Sequence, residues 1–489
     1  LLPAPEGDTV PALTKLVLSG IPRAVWPARF GGIAWGLLLL GAVYWGVART
    51  RGAAIGLVAA ALVSMVPEVL AHASLAGSDV PFAATAMLSL VLMARYAEQP
   101  TRGRWWSLAL AIGLAWATRH TALLLVLLAA GVHAWCALRS PRGAGFGPVL
   151  ERLCGSAWAS AGLTAMACLV LWASDGFGTV SLAEASASIT RLSVPQQIGS
   201  VDLSGLPVPT SVLSILKQVS HQARGHEAYF CGEVSQRGWS LYFPIAFLLK
   251  TPIGLLALLV LAVARMRPRG AWEAICLVFL ALLWASLVRS KVNIGVRYAL
   301  LTYPLAAPFV ARLFEPGLLR DRVWGPVTLA AAIWFAGASG ACHPRYLSYF
   351  NELAGGPQHG WLYLADSNID WGQDFDALAA ALKRRGLNDV TLDVSSERRL
   401  IEPGLCALPN PSRELQPPAE TPPNRRLYDS EGSAIPVFTR YVAVSVSRLL
   451  GLYSRNDMSW LRTRRLVERV GDTIFIFDMD QPAERPFGS

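Results

Sequence analysis

The chain has 489 residues, 53% of them hydrophobic and only 16% charged, with a mean hydropathy of +0.40 and a net charge of +10. Soluble globular proteins carry about 25% charged residues, so a wholly soluble enzyme, a disordered chain and a fibrous protein are excluded. Residues 1–342 hold 26 basic and 14 acidic side chains and residues 343–489 hold 17 and 19, so the first part reads as membrane and the last as soluble. The positive excess lies in the hydrophobic part, which indicates basic loops between membrane helices and not a nucleic-acid surface.

In chain order, Leu1 opens a stretch with no signal-peptide pattern, and the chain reads as a fragment lacking one or more upstream helices. Crossing a hydrocarbon core takes about 20 apolar residues. Windows of that kind fall near 28–48, 53–73, 80–97, 105–118, 121–138, 156–174, 240–264, 271–288, 298–314 and 323–341, about ten helices in all. The pair 105–118 and 121–138, divided only by Arg119 and His120, reads either as two crossings or as one broken or re-entrant element.

Alternate short loops carry Arg49 and Arg51; Arg95, Arg102 and Arg104; Arg139, Arg142 and Arg152; Arg265, Arg267 and Arg269; and Arg312, Arg320 and Arg322. The bias of basic residues makes that side cytoplasmic. The loop at Asp79, the long loop 176–239, the loop 289–297 and everything after His343 then lie outside.

After His343 the pattern turns to mixed α and β. Asp374–Arg385 has the spacing of an amphipathic helix. Val390–Val394, Tyr441–Val446 and Thr473–Phe477 read as strands, with a proline-rich loop at 403–424. The chain thus divides into a membrane domain, 1–342, and a small soluble α/β domain, 343–489.

The candidate functional residues are the ionisable groups that the charge bias does not explain. Arg119, Lys250, Arg289, Lys291 and Arg297 gather on the outer side, with the acids Glu68 and Asp79. Guanidinium forks and an ammonium suit a lipid-borne phosphate; snorkelling to the headgroups is the competing reading for each cation. Lys250 lies within a span between Pro244 and Pro252, a backbone loosened as if to admit a ligand. Asp79 reads either as a functional acid or as a helix N-cap. Asp366, Asn368, Asp370, Gln373 and Asp374 have the spacing of oxygen ligands but lack the central glycine and closing glutamate of a calcium loop, and no metal is assigned there.

Five stretches, His72–Pro81, Gly113–Leu123, Tyr242–Pro252, Asn293–Tyr298 with Tyr303-Pro304, and His343–Gly356 with Asp366–Asp374, resemble the phospholipid-carrier-dependent glycosyltransferases of the GT-C class. That class includes protein O-mannosyltransferases and the aminoarabinose transferase of lipid A. The resemblance implies a multispan α-helical fold with a C-terminal α/β extracytoplasmic domain. It also implies transfer of a sugar, with inversion, from a polyprenyl-phosphate donor to a protein, lipid or glycan acceptor outside a bacterial plasma membrane.

On this resemblance Asp79 is the catalytic acid that orients acceptor or metal, and Glu68, following Pro67, is expected to share the cleft with it. The family's first-loop acidic pair, usually taken to include the base, is expected upstream of Val10–Leu13, since Glu6 and Asp8 stand too close to that stretch. Lys250, Arg297, Arg119, His120, Arg289 and Lys291 are expected on the donor phosphate, and Tyr298, Tyr242, His343, Asn351 and Glu352 on substrate. A divalent ion, Mg or Mn, is admitted but has no ligand set. The competing reading is a polytopic transporter or lipid-linked sugar flippase; the absence of an internal repeat and the gathering of charge on one side speak for the enzyme.

Overall fold

The structure, a computed structural model, describes residues 10–139, 146–187, 197–198, 201–202, 204–265, 267–387, 390–393, 426–428, 434–436, 440–452 and 459–485. Glu6, Asp8 and the loop 403–424 lie outside the described residues.

Each expected apolar window holds helix. The helices are α1 (Val10–Arg51), α2 (Ala53–Ser64), α3 (Pro67–Ala73), α4 (Asp79–Glu98), α5 (Arg102–Thr118), α6 (Leu123–Leu138) and α7 (Phe146–Ser174). After the loop helices α8 (Leu182–Ala187) and α9 (Thr210–Arg224) come α10 (Tyr242–Lys250), α11 (Ile253–Arg265), α12 (Ala271–Val288), α13 (Thr302–Ala311), α14 (Pro316–Leu319) and α15 (Trp324–Ala341). Among the described residues five helices are long and apolar enough to cross a membrane, or up to seven spans if each bent pair counts as one. The chain is a multi-pass membrane protein.

Two windows that the sequence presents as continuous are broken. α2 and α3 bend by 75°, and α10 and α11 by 116°. In each case a proline follows the bend, Pro67 and Pro252. Proline has no N–H for the helical ladder and its ring crowds the carbonyl four residues back. These two breaks place the site.

The ends of the long helices are fixed by charge. Arg49 pairs with Glu98 at 2.7 Å, joining the C-terminal ends of α1 and α4. Arg51 pairs with Glu273 at 2.7 Å and with Glu315 at 3.4 Å, and Arg312 with Glu273 at 2.9 Å. Arginines of two of the expected basic loops thus gather at one end of the bundle. Asp79 begins α4, whose 20 residues span about 30 Å at 1.5 Å each, so it lies at the opposite end.

The C-terminal sheet has strands β1 (Val390–Asp393), β2 (Tyr441–Ser445), β3 (Arg464–Val470) and β4 (Ile474–Pro482), in the order β3-β4-β2-β1. β2 runs parallel to β1 and antiparallel to β4. Alternation along a strand sends successive side chains to opposite faces. Ala443, Ile474 and Ile476 pack with Phe375, Leu378 and Leu382 of α16 (Phe375–Arg385). Val442, Val444, Phe475 and Phe477 join Trp361, Leu364 and the helical core on the other side. The sheet is therefore seated on the Asp79 end of the bundle through residues 343–374.

Candidate active site

The broken helices bring an acid and a base face to face. Glu68 is the second residue of α3 and Lys250 the last of α10; their side chains meet at 2.7 Å with 1% and 0% exposure. The Lys250 ammonium also donates to the carbonyls of Leu347 and Asn368, both at 2.6 Å. An ammonium has three donors, and all three are engaged inside the protein. Lys250 has no N–H left for a donor phosphate, contrary to the expectation from sequence, and the fully buried Glu68 is equally out of reach of an acceptor.

From Glu68 the charges continue to the rim. One turn along α3, His72 places Nε2 3.4 Å from Glu68 Oε2 and Nδ1 3.9 Å from Asp79 Oδ2. Asp79, 3% exposed, binds Arg119 through Oδ1 and lies 3.6 Å from Arg297 through Oδ2. The two guanidiniums are 16% and 18% exposed. Both lie on the Tyr298 ring, Arg119 at 4.3 Å and Arg297 at 5.4 Å from its centroid, a cation–π arrangement that fixes their planes. Both cations sit outside the helix interior: Arg119 is the extended residue after α5, and Arg297 is in the short 3₁₀ turn Val296–Ala299.

Residues 366–374 close over this network. Asn368 accepts from the Val296 N–H at 2.9 Å and donates to the Tyr242 hydroxyl at 2.9 Å. Trp371 covers Arg297 at 4.9 Å and meets the His72 ring edge-on at 6.2 Å. The approach is close enough that a Cβ at Gly295 would collide with the Ser367 hydroxyl. Asp370 accepts from the Gly372 N–H at 2.8 Å. Burial, reinforced by Asp374 and Asp366, pushes its carboxyl up to about 6.

The remaining expected residues are placed as follows. Tyr242 is buried and bonded to Asn368, so it supports the covering segment and does not face a ligand. Asn351 is a cap: its amide donates to the Leu248 and Thr251 carbonyls at 2.6 and 2.7 Å, groups left without partners by the break at Pro252. Glu352 accepts from the Trp334 indole at 3.0 Å, and His343 contacts the Tyr346 hydroxyl at 3.2 Å; neither joins the network. Arg289 and Lys291 are exposed beyond α12, and His120 interacts with Asp175.

The donor set does not fit a resident Mg or Mn at Asp79, because its two oxygens face guanidiniums and His72. Among the described residues no group of three or more His, Cys, Asp or Glu could hold an ion. The calcium-like spacing at 366–374 is used for turns: Gln373 donates to the Ile369 carbonyl at 2.5 Å, and Asp374 accepts from the Thr473 hydroxyl at 2.8 Å.

An apolar groove opens beside the Glu68–Lys250 pair. Leu62, Val66, Phe247, Leu255, Tyr303 and Val310 stand in its wall. Phe247 is one turn before Lys250 and Val66 two residues before Glu68, so the groove and the charges share the broken backbone.

Comparison with known proteins adds the family. Residues 10–143, which carry Glu68, His72, Asp79, Arg119 and His120, match the family model described as dolichyl-phosphate-mannose-protein mannosyltransferase. Over that stretch the chain is similar to this family of membrane mannosyltransferases. The transporter reading is correspondingly not favoured. Among solved structures, ArnT from Cupriavidus metallidurans bound to undecaprenyl phosphate is similar at 14% identity, over 92% of this chain and 84% of that one, with a TM-score of 0.43. No curated protein matches.

Proposed function

We propose that this chain is a GT-C enzyme that takes a sugar from a polyprenyl-phosphate carrier and transfers it to an acceptor hydroxyl at the Asp79 end of the bundle, outside a plasma membrane. The observation that supports this reading is the pair Arg119 and Arg297, both tied to Asp79, both resting on Tyr298 and both still partly exposed. Three cations against two carboxylates leave one positive charge, which suits the single negative charge of a phosphodiester. A guanidinium pair binds such a group through two-pronged hydrogen bonds. It also stabilises the charge that grows on the phosphate as the glycosidic bond breaks.

In this reading the apolar groove receives the first isoprene units of the carrier, and Lys250 and Glu68 set the two broken helices at the angle that opens it. Asp79 orients the arginines. The acceptor, whether protein, lipid or glycan, approaches from the side of residues 366–374.

The test is release of radiolabelled sugar from polyprenyl phosphate in membranes containing the protein. The expected outcome is release that is lost in Arg119→Ala and Arg297→Ala and absent with nucleotide-sugar donors. Movement of the same lipids between leaflets of proteoliposomes, with no sugar released, would overturn the reading in favour of a flippase.

A further inference from the structure

We propose that Trp371 is the platform on which the sugar of the carrier stacks while Arg119 and Arg297 hold its phosphate. The inference rests on the carrier reading above and deepens it by naming what holds the transferred group.

Trp371 is 39% exposed, the one exposed tryptophan beyond α15 among the described residues. Trp106, Trp135, Trp158, Trp324 and Trp334 are exposed too, but they stand on the long helices, where lipid accounts for them. Trp371 stands instead on the segment that closes over the charges. The Arg297 guanidinium carbon is 4.9 Å from the centre of its ring, and the His72 ring meets it edge-on at 6.2 Å. Covering Arg297 uses one part of the indole; the rest is open.

The backbone under the indole is tied down. The Trp371 backbone N–H donates to the Gln373 side-chain oxygen at 2.8 Å, and the Gln373 amide donates back to the Ile369 carbonyl at 2.5 Å. Asp370 takes the Gly372 N–H at 2.8 Å, and Gly372 turns the chain with a φ of +75°, a conformation that glycine adopts without strain. To one side, Asn368 is fully buried between Val296 and Tyr242. To the other, Asp374 accepts from the Asp472 N–H at 3.1 Å and the Thr473 hydroxyl at 2.8 Å. An aromatic presented on so fixed a backbone loses little freedom when a ligand arrives, which is what a recognition surface needs.

The chemistry of a sugar fits this surface. A hexose carries its hydroxyls around the rim and C–H bonds on its faces. Those bonds are weakly positive and the face of an indole is negative, and stacking also takes apolar surface out of water. The sugar hangs from its phosphate by a single oxygen, so a phosphate on the Arg297 fork sets the sugar beside that fork, where the indole stands. The arginines read the charge of the carrier, and Trp371 reads what the charge carries.

The experiment is equilibrium binding to the full chain in detergent of three undecaprenyl phosphodiesters, the methyl, the glucosyl and the mannosyl. All three carry one negative charge and the same lipid, and both sugars offer C–H faces, so the comparison isolates the stack. The wild type should bind the two glycosyl diesters about threefold to tenfold more tightly than the methyl diester, the worth of one aromatic stack. In Trp371→Ala the three dissociation constants should converge, and in Trp371→Phe part of the preference should remain. A wild type that does not prefer the glycosyl diesters overturns the proposal, and this comparison needs no variant. So does a Trp371→Ala protein that keeps the preference, or one that weakens all three lipids by the same factor, the mark of a mere cover for Arg297. Failure of the wild type to bind any of the three overturns the carrier reading and this inference with it.

Discussion

The two ends of α4 carry two ionic clusters built from the same residue types, with different outcomes. At the end where Arg49 meets Glu98, Arg51 and Arg312 close on Glu273 and Glu315, two charges against two, with Arg312 2% and Glu273 1% exposed. At the other end Lys250, Arg119 and Arg297 face only Glu68 and Asp79, and the two guanidiniums reach solvent. The first cluster is a closed clasp on the helix ends. The second is closed only in part: Lys250 and Glu68 are as closed as Glu273 and Arg312, while Arg119 and Arg297 stay partly exposed. An arginine closed on its carboxylates is thus fully used within the fold, whereas Arg119 and Arg297 keep part of their surface open.

The comparison breaks most sharply if Lys250 is not structural. Removing one partner of a buried pair leaves the other charged and unsolvated, at a cost of about 3–5 kcal/mol. Lys250→Ala should therefore lower the thermal midpoint of the detergent-solubilised protein more than any other change at this end. Lys250→Met with Glu68→Gln should recover part of that loss. A Lys250→Ala protein that melts like wild type and only binds carrier more weakly would return Lys250 to the phosphate.

The next test sets the ends against each other. Glu273→Gln should cost about 3 kcal/mol of stability by stranding two arginines and leave undecaprenyl phosphate affinity unchanged. Arg297→Ala should do the reverse: little loss of stability and a tenfold to hundredfold loss of affinity, on the order of the 1.5–3 kcal/mol of a charged hydrogen bond. If both variants lost stability and affinity alike, the two clusters would not be separable in role. A finer version is Arg119→Lys. It keeps the charge but loses the fork and the planar stacking on Tyr298, and a fall in affinity of about tenfold is expected. Unchanged affinity would make Arg119 a point charge.

Much of this contrast was legible in the sequence, and its failures have one cause. The apolar windows and the weak point at Pro252 are local signals, and each falls where the structure has a helix or a break, whereas the break at Pro67 falls inside a window read as continuous. Arg119, Arg297 and Asp79 stood out because the charge bias gave them no purpose. The role of Lys250 was not legible, because its partners include carbonyls 97 and 118 residues away. Asn351 likewise looks like a substrate ligand until its partners prove to be carbonyls 100 and 103 residues back. His72 could have been found: it stands four residues after Glu68, which on a helix places the two on one face.

The segment over the open cluster offers the smallest test and the one most particular to that end. Asp370 is half-buried, and its carboxyl is raised to about 6, first by burial and then by Asp374 and Asp366, against the pull of the Gly372 N–H. Free aspartate titrates near 3.9. The folded state therefore holds the proton more firmly than the unfolded one. The stability this gives is fully present below about pH 4 and is lost as pH rises through about 6. Asp370→Asn, which keeps an oxygen for Gly372 and carries no charge, should gain in unfolding midpoint over wild type between pH 4 and pH 7 and hold that gain at pH 8. A difference that stayed constant over this range would show that Asp370 is as well solvated as a surface acid. Residues 366–374 would then lie looser over Arg297 than the Trp371 contact implies, and the open cluster would be more open than its geometry shows.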